Sequence, residues 1–356
     1  MMDIRPYTGV RVLDLTHRYG SYAGKLFADL GATVVAAGAD RGDFLEAFSA
    51  ASKTSARDAL TDDTDEALLD YARKAQLILL EKGGRLADEW LELAGANPAA
   101  VVTVISPFGL DGPWADRAAT DLSLQAAGGI AYLSGTIDKS PLRLPFEQST
   151  PVASVYAAVV SAIALWDAEQ TGKGHLIDVS VQECVAHSLQ NAIQVYDLED
   201  RISMRGGEGT RDCSEDHFPC KDGYVFAVVS PMLGNMWQTF IAWLGEFIPE
   251  TANALSQEKW LDRPWRTTAE AKAEYRKLVE PAFAAFTRTE LRDIAVARRL
   301  IFAPVARISD LFTDDQLSAG DFFVETLSSI AGGPVKFPGA PYRLSEPVWR
   351  IGGTDR

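Results

Sequence analysis

The side chains able to attack a carbonyl, move a proton or hold an ion fall into few familiar arrangements in this 356-residue chain. Four histidines, His17, His175, His187 and His217, are too far apart in sequence to form a ligand cluster by spacing. The cysteines Cys184, Cys213 and Cys220 make no CxxC pair and leave one thiol over, which argues against structural zinc and fits a reducing compartment. No GxGxxG follows the first strand-like run, whose loop reads LTHRYGSYAG with glycines only at Gly20 and Gly24. GxxxxGK[ST], HExxH and GxSxG are also missing, so a P-loop, a zincin and a hydrolase elbow have no support. His17 stands just beyond that first run, where open α/β sheets bind ligands, and either ligand contact or plain exposure fits it. His187 falls on an apolar helix face and reads as a hydrogen-bonded core imidazole.

The elements that must position these residues follow from composition and periodicity. Apolar residues make up 47% of the chain, a globular proportion, and the length suits one large domain or two unequal ones. A net charge of −15 makes polyphosphate a poor partner, so nucleic acid is not expected. The opening MMDIRPYTGVRVLDL lacks the features of a signal peptide, and no membrane span is expected, which leaves the cytoplasm as the default.

Short apolar runs alternate with amphipathic ones: RVLDL (11–15), KLFADLGA, TVVAA (33–37), DEALLDYARKA, QLILLE (76–81), LADEWLELAG and AVVTVIS (100–106). That rhythm predicts a parallel sheet covered on both faces, in an open Rossmann-like order. Asp62, Asp63 and Thr64 offer N-cap chemistry, and Gly31 and Gly95 sit where helices should stop. PVASVYAAVVSAIALWDAEQ (151–170) predicts a helix buried in the domain or against another subunit, ending at Thr171-Gly172-Lys173-Gly174 before a strand HLIDVSV (175–181). Residues 1–200 are expected to form the large domain, 201–215 a linker, 216–310 a small α/β domain, and the proline-containing tail 311–356 a return to the large domain.

Five segments in order resemble the class III CoA-transferase family, which includes formyl-CoA and carnitine CoA-transferases and related acyl-CoA racemases. They are VLDLTHRYGSYAGKLFADLGATVV, NPAAVVTVISPFGLDGPWADR, DLSLQAAGGIAYLSG, YAAVVSAIALWDAEQTGKGHLIDVSVQE and, more loosely, the last third with DGYVFAVV, APVARISDL and PGAPYRLS. The resemblance implies a large Rossmann-like open parallel sheet domain, a smaller inserted α/β domain and an interlocked-ring dimer. It implies coenzyme A or acyl-CoA as substrate, a small carboxylic acid as acceptor, and no metal.

In that family an aspartate near the start of the helix attacks the acyl-CoA thioester, giving an anhydride and then an enzyme-CoA thioester. Counting back from the T-G-K-G turn puts this position at Thr150, which is not a carboxylate. The preceding residues are LRLPFEQS, and the closest acid is Glu147. Three residues of extended chain span about 10 Å, so Glu147 substitutes only if the backbone is rearranged there. Alternatively, Thr150 ahead of Pro151 is simply the helix N-cap. The racemase branch is disfavoured because Thr120 stands before Asp121, where those members carry a histidine.

The resemblance also directs attention to residues near the nucleotide. The expected coenzyme contacts are His17, Arg18, Tyr19, Lys53, Glu81, Lys82, Arg85 and Arg117, the cations of this set able to pair with phosphate oxygens. The strand ends Ala36-Ala37-Gly38 and Glu81-Lys82-Gly83-Gly84-Arg85 keep only the glutamate of the family patterns. Three readings follow: a CoA-transferase with its usual aspartate replaced by Thr150, a non-catalytic subunit paired with a paralogue as a heterodimer, and a CoA-binding regulator without turnover.

Overall fold

The computed structural model describes residues 5–38, 43–60, 64–136, 138–205, 211–328, 332–345 and 348–351. The chain divides into two compact units. The first comprises Met1–Ser134, Pro141–Ile202 and Asp315–Arg356, and the second Gly135–Ser140 and Ser203–Asp314.

The first unit runs β1 (Arg11–Asp14), α1 (Ser21–Asp29), β2 (Thr33–Ala36), α2 (Phe44–Ala50), β3 (Thr54–Ser55), α3 (Ala56–Ala59), α4 (Asp65–Ala72), β4 (Leu77–Glu81), α5 (Trp90–Ala96), β5 (Val101–Ser106), α6 (Asp121–Ala127), α7 (Ile130–Leu133), α8 (Ser149–Thr171), β6 (Leu176–Ser180), α9 (Val181–His187) and α10 (Gln190–Glu199). The strands pair in parallel in the order β3-β2-β1-β4-β5-β6. The doubly wound sheet expected from the βαβ rhythm is therefore present. Its central strands β4 and β5 are buried along their whole length, as continuous apolar runs require when both faces are covered. The sequence reading missed α2 and the two-residue β3, whose stretch FLEAFSAASKTS carries too little periodicity to separate helix from loop.

Helix α8 shows why an apolar sequence forms this wall. Its buried stripe is small, with Ala153, Ser154, Ala157, Ser161, Ala164 and Ala168 packing it against α1 and β5. The buried hydroxyls on that face are satisfied, since Ser161 and Thr103 share a hydrogen bond of 2.7 Å and Ser154 Oγ donates to the Tyr19 carbonyl at 2.7 Å. Gly172 stops the helix at φ +71°, and two residues later Gly174 passes so close to β5 that a Cβ there would lie 1.9 Å from the Ala100 carbonyl. At 23 residues α8 is long and apolar enough, by length and composition alone, to cross a membrane. A core helix passes the same test.

Thr64 caps α4 by accepting from the Ala67 N–H at 3.2 Å, while Asp62 and Asp63 lie outside the described residues. Gly95 does not end its helix but sits within α5. A hairpin of β10 (Phe323–Ser328) and β11 (Gly333–Pro338) belongs to this first unit.

The second unit holds an antiparallel sheet of β7 (Asp216–Cys220), β8 (Gly223–Val228) and β9 (Ile301–Pro304), packed with α11 (Met236–Gly245), α12 (Pro249–Leu255), α14 (Ala269–Ala284) and α15 (Arg288–Arg298), with the single-turn α13 (Arg263–Arg266) between α12 and α14. Its core is aromatic, built on Trp237, Phe240, Trp243, Trp260, Tyr275 and Phe283. Arg266 is buried against it, 4.4 Å from the Trp237 ring, with its guanidinium forked onto Asp212. Asp212, Cys213 and Ser214 thus belong to packed structure rather than to a solvated linker, and residues 206–210 lie outside the described set.

Candidate functional site

A cleft of about 1280 Å³ opens in the first unit beyond the carboxyl ends of β1, β2 and β4. This is the position where parallel sheets bind ligands, because the helix N-termini and bare strand ends converge there.

Its base is organised by two buried carboxylates. Asp14, the last residue of β1, accepts from the Thr16 N–H (3.0 Å) and Oγ1 (2.6 Å) on one oxygen and from Lys53 Nζ (2.7 Å) on the other. Gly24 is required beside it, since a Cβ there would lie 2.0 Å from Asp14 Oδ2. Glu81, the last residue of β4, accepts the backbone N–H groups of Arg18 and Tyr19 at 2.9 Å, of His17 at 3.2 Å and of Gly20 at 3.4 Å, all on Oε2. Its other oxygen lies 3.4 Å from His17 Nε2. Four donors that would otherwise form an anion nest are therefore filled by the protein's own carboxylate.

The start of α8 forms another wall. The helix begins at Ser149 with Gln148 as its cap residue, so Thr150 is the second helical residue and not the N-cap. Buried Asp121 fixes this terminus by accepting from the Ser149 N–H at 2.9 Å and Oγ at 2.5 Å, and from Gln125 Nε2 at 2.6 Å. Phe146 adopts a left-handed conformation (φ +60°), an unfavourable one for a bulky side chain, and Gln148 is helical. The chain therefore turns instead of approaching extended. Thr150 Oγ1 comes within 3.4 Å of Glu147 Oε2, and Arg18 Nη2 holds the other Glu147 oxygen at 3.2 Å. The rearrangement that Glu147 needed to approach position 150 is present.

Of the residues expected at the coenzyme, His17, Lys53 and Arg85 line the cleft with Glu147 and Thr150. Lys53 is buried, its ammonium neutralised by Asp14 and also bonded to the Ser21 carbonyl at 2.6 Å. Arg85 pairs with Asp65 at 2.6 Å. Arg18, Tyr19, Glu81, Lys82 and Arg117 are not among the residues lining this cleft. Arg18 is joined to the cleft wall through Glu147. Glu81 and Tyr19 hold the loop, the Tyr19 phenol donating to the Ala119 carbonyl at 3.1 Å. Burial, only partly countered by Arg18, raises the Tyr19 phenol, which stays protonated to make that bond. Lys82 reaches Ala115 O and Asp116, and Arg117 lies over the Trp114 ring at 4.8 Å. His187 is exposed and bonds the Tyr156 hydroxyl at 2.5 Å, a partner as expected but on the surface rather than in the core.

Sequence reasoning missed Asp14 and Asp121. Both were visible as acids, one ending an apolar run and one opening the DLSLQ segment, but the partners that give them work, Lys53 and Ser149, are 39 and 28 positions away. Thiol chemistry is poorly served: burial pushes Cys184 up to about 11 and Cys213 up to about 12, so both are thiols at neutral pH. Among the described residues no three His, Cys, Asp or Glu side chains converge to hold a metal ion.

Comparison with known proteins agrees with this architecture. Residues 82–353 match the model of CoA-transferase family III. The chain is 31% identical over 371 residues to the succinyl-CoA:(R)-benzylsuccinate CoA-transferase subunit BbsE of Thauera aromatica, spanning 97% of this chain and 90% of that one. It is 29% identical over 266 residues to the succinyl-CoA–L-malate CoA-transferase alpha subunit of Chloroflexus aurantiacus, spanning 74% of this chain and 60% of that one. In fold it is similar to a CaiB/BaiF family protein from Brucella suis, with a TM-score of 0.80 at 20% identity over 98% of this chain and 94% of that one. The chain belongs to CoA-transferase family III.

Proposed function

We propose that this chain is one subunit of an enzyme that moves coenzyme A from an acyl-CoA to a carboxylic acid, and that the attacking carboxylate comes from a paralogous partner. The observation that carries this reading is the start of α8. A hydroxyl, Thr150, occupies the cleft wall where the family's nucleophile is expected, and the acid beside it, Glu147, is held by Arg18. A hydroxyl would give an ester, from which coenzyme A is not readily regained by exchange. A carboxylate attacks the thioester carbonyl, the C–S bond breaks, and the thiolate leaves. The thiolate then attacks the carbonyl of the enzyme carboxyl, releasing the donor acid, and the same two steps run in reverse with the acceptor.

The relatives' names support the substrate class and the partnership. Both are subunits, both use succinyl-CoA as donor, and both take dicarboxylic acids as acceptors. The interlocked dimer is carried over as part of the proposal. In its favour, Val155, Val159, Ile163 and Trp166 form an exposed apolar stripe along α8, an area that a second subunit would cover. The coenzyme would lie over the strand ends, with Arg85 and the other basic side chains of the cleft, His17 and Arg57, near its phosphates. Lys53, neutralised by Asp14, would support the wall.

A second reading is favoured by one distance. With Glu147 at 3.4 Å from Thr150 and its other oxygen paired with Arg18, the glutamate itself could attack. The two readings separate by mutagenesis. For the purified chain with succinyl-CoA, the first predicts no covalent adduct in wild type and capture of CoA by Thr150→Asp. Under the second, wild type carries the adduct and Glu147→Gln loses it.

A further inference from the structure

The cleft has two chemically different parts. Beyond the basic side chains, its lining includes Tyr22 from α1, Leu45 and Phe48 from α2, and Pro338 from β11. The Tyr22 and Phe48 rings stack with centroids 5.5 Å apart at 27°. Phe337 braces Phe48 edge-on at 5.2 Å without itself lining the cleft. Behind Phe48, the Lys25 ammonium lies 5.1 Å from the ring centroid, paired with Asp29 in a buried ion pair. The rings are thus fixed in place by side chains outside the cleft. Leu45 is 44% exposed, so the patch is open rather than sealed in the core.

None of this is needed to bind phosphates or to present Thr150. A pair of held aromatic rings with apolar neighbours, inside a cleft that also has cations, matches a ligand with a flat apolar ring as well as anionic groups. Stacking on such rings is tolerant of the ring's identity. We propose that Tyr22, Phe48, Leu45 and Pro338 form a subsite for a planar aromatic group of the substrate. The inference rests on the reading of the cleft as an acyl-CoA site. The ring has two possible sources, the adenine of the coenzyme or an aryl group on the acyl chain.

Isothermal titration of the full chain with 3′,5′-ADP, acetyl-CoA and phenylacetyl-CoA distinguishes them, using Tyr22→Leu and Phe48→Leu, with Phe337→Leu as a control that loosens the same cluster outside the cleft. The proposal expects the first two variants to weaken ring binding about tenfold, and Phe337→Leu, which removes only the brace behind Phe48 and leaves both rings, to weaken it distinctly less. An equal loss for all three ligands assigns the subsite to adenine. A loss confined to phenylacetyl-CoA assigns it to an aryl acyl group. Wild-type affinities for every ligand in both cleft variants, or an equal loss in Phe337→Leu, would overturn the subsite while leaving the acyl-CoA reading intact. Failure of the wild-type chain to bind any of the three would overturn both.

Discussion

Glu81 illustrates how one side chain sets the geometry of the cleft from outside its lining. Its carboxylate gathers the N–H groups of residues 17 to 20, and the loop so fixed carries His17 to the wall and Arg18 to Glu147. Hydrogen bonds to a buried charged group are worth about 1.5–3 kcal/mol each, with losses that are not additive. Glu81→Ala is therefore expected to destabilise the protein by about 3 kcal/mol in urea denaturation and to weaken CoA binding, with Glu81→Gln intermediate. A Glu81→Ala protein as stable as wild type would show that the loop is held by other means. At this scale the sequence was only partly legible. It picked out Glu81, Lys53 and Arg18 as expected coenzyme contacts, but not what they bond within the protein. Their actual partners are a loop backbone, Asp14 and Glu147, which come together only when strands distant in sequence lie side by side. In the same way, Thr150 reads as an N-cap from the proline after it, whereas Asp121 starts the helix one residue earlier.

Elements were easier to foresee than their ends. The parallel strands and the long helix follow from apolar runs and their spacing, because burial on both faces leaves no alternative reading of LILLE or VVTVIS. Glycines were harder, since their role depends on what lies opposite. At Gly174 a Cβ would meet the Ala100 carbonyl, so Gly174→Ala should force β5 and β6 apart and cost about 2–3 kcal/mol. Gly95, inside α5 with nothing within 4 Å of an added Cβ, should do the opposite, and Gly95→Ala is expected to gain about 0.5–1 kcal/mol. Thermal melts of the two variants test both signs. The second unit adds a pH dependence. Burial alone would raise the Asp212 carboxyl, but the Arg266 fork and charge, with Ser214, outweigh it and hold the group below the usual aspartate range. A depressed carboxylate contributes stability that is complete above its unfolded value, about 4, and is lost as pH falls through the folded one. The urea midpoint difference between wild type and Asp212→Asn should accordingly be wide at pH 7 and narrow progressively below about pH 4. A difference independent of pH would contradict that role.

For the whole molecule, the proposed partnership rests on the exposed apolar stripe of α8 and on the hydroxyl of Thr150 in the cleft wall. Replacing Ile163, 63% exposed in the middle of the stripe, by glutamate should reduce association in analytical ultracentrifugation, and unchanged association would place the interface elsewhere. The acidic composition and the family were legible from residues 1 to 356. Which chain supplies the attacking group was not, because one sequence says nothing of a partner's residues. The most direct measurement is intact-protein mass spectrometry of this chain after incubation with succinyl-CoA, alone and together with an aspartate-bearing paralogue. The account predicts bound coenzyme but no covalent adduct on this chain in either mixture, with the acyl or CoA adduct carried by the partner. A CoA thioester on Glu147 of this chain incubated alone would contradict it.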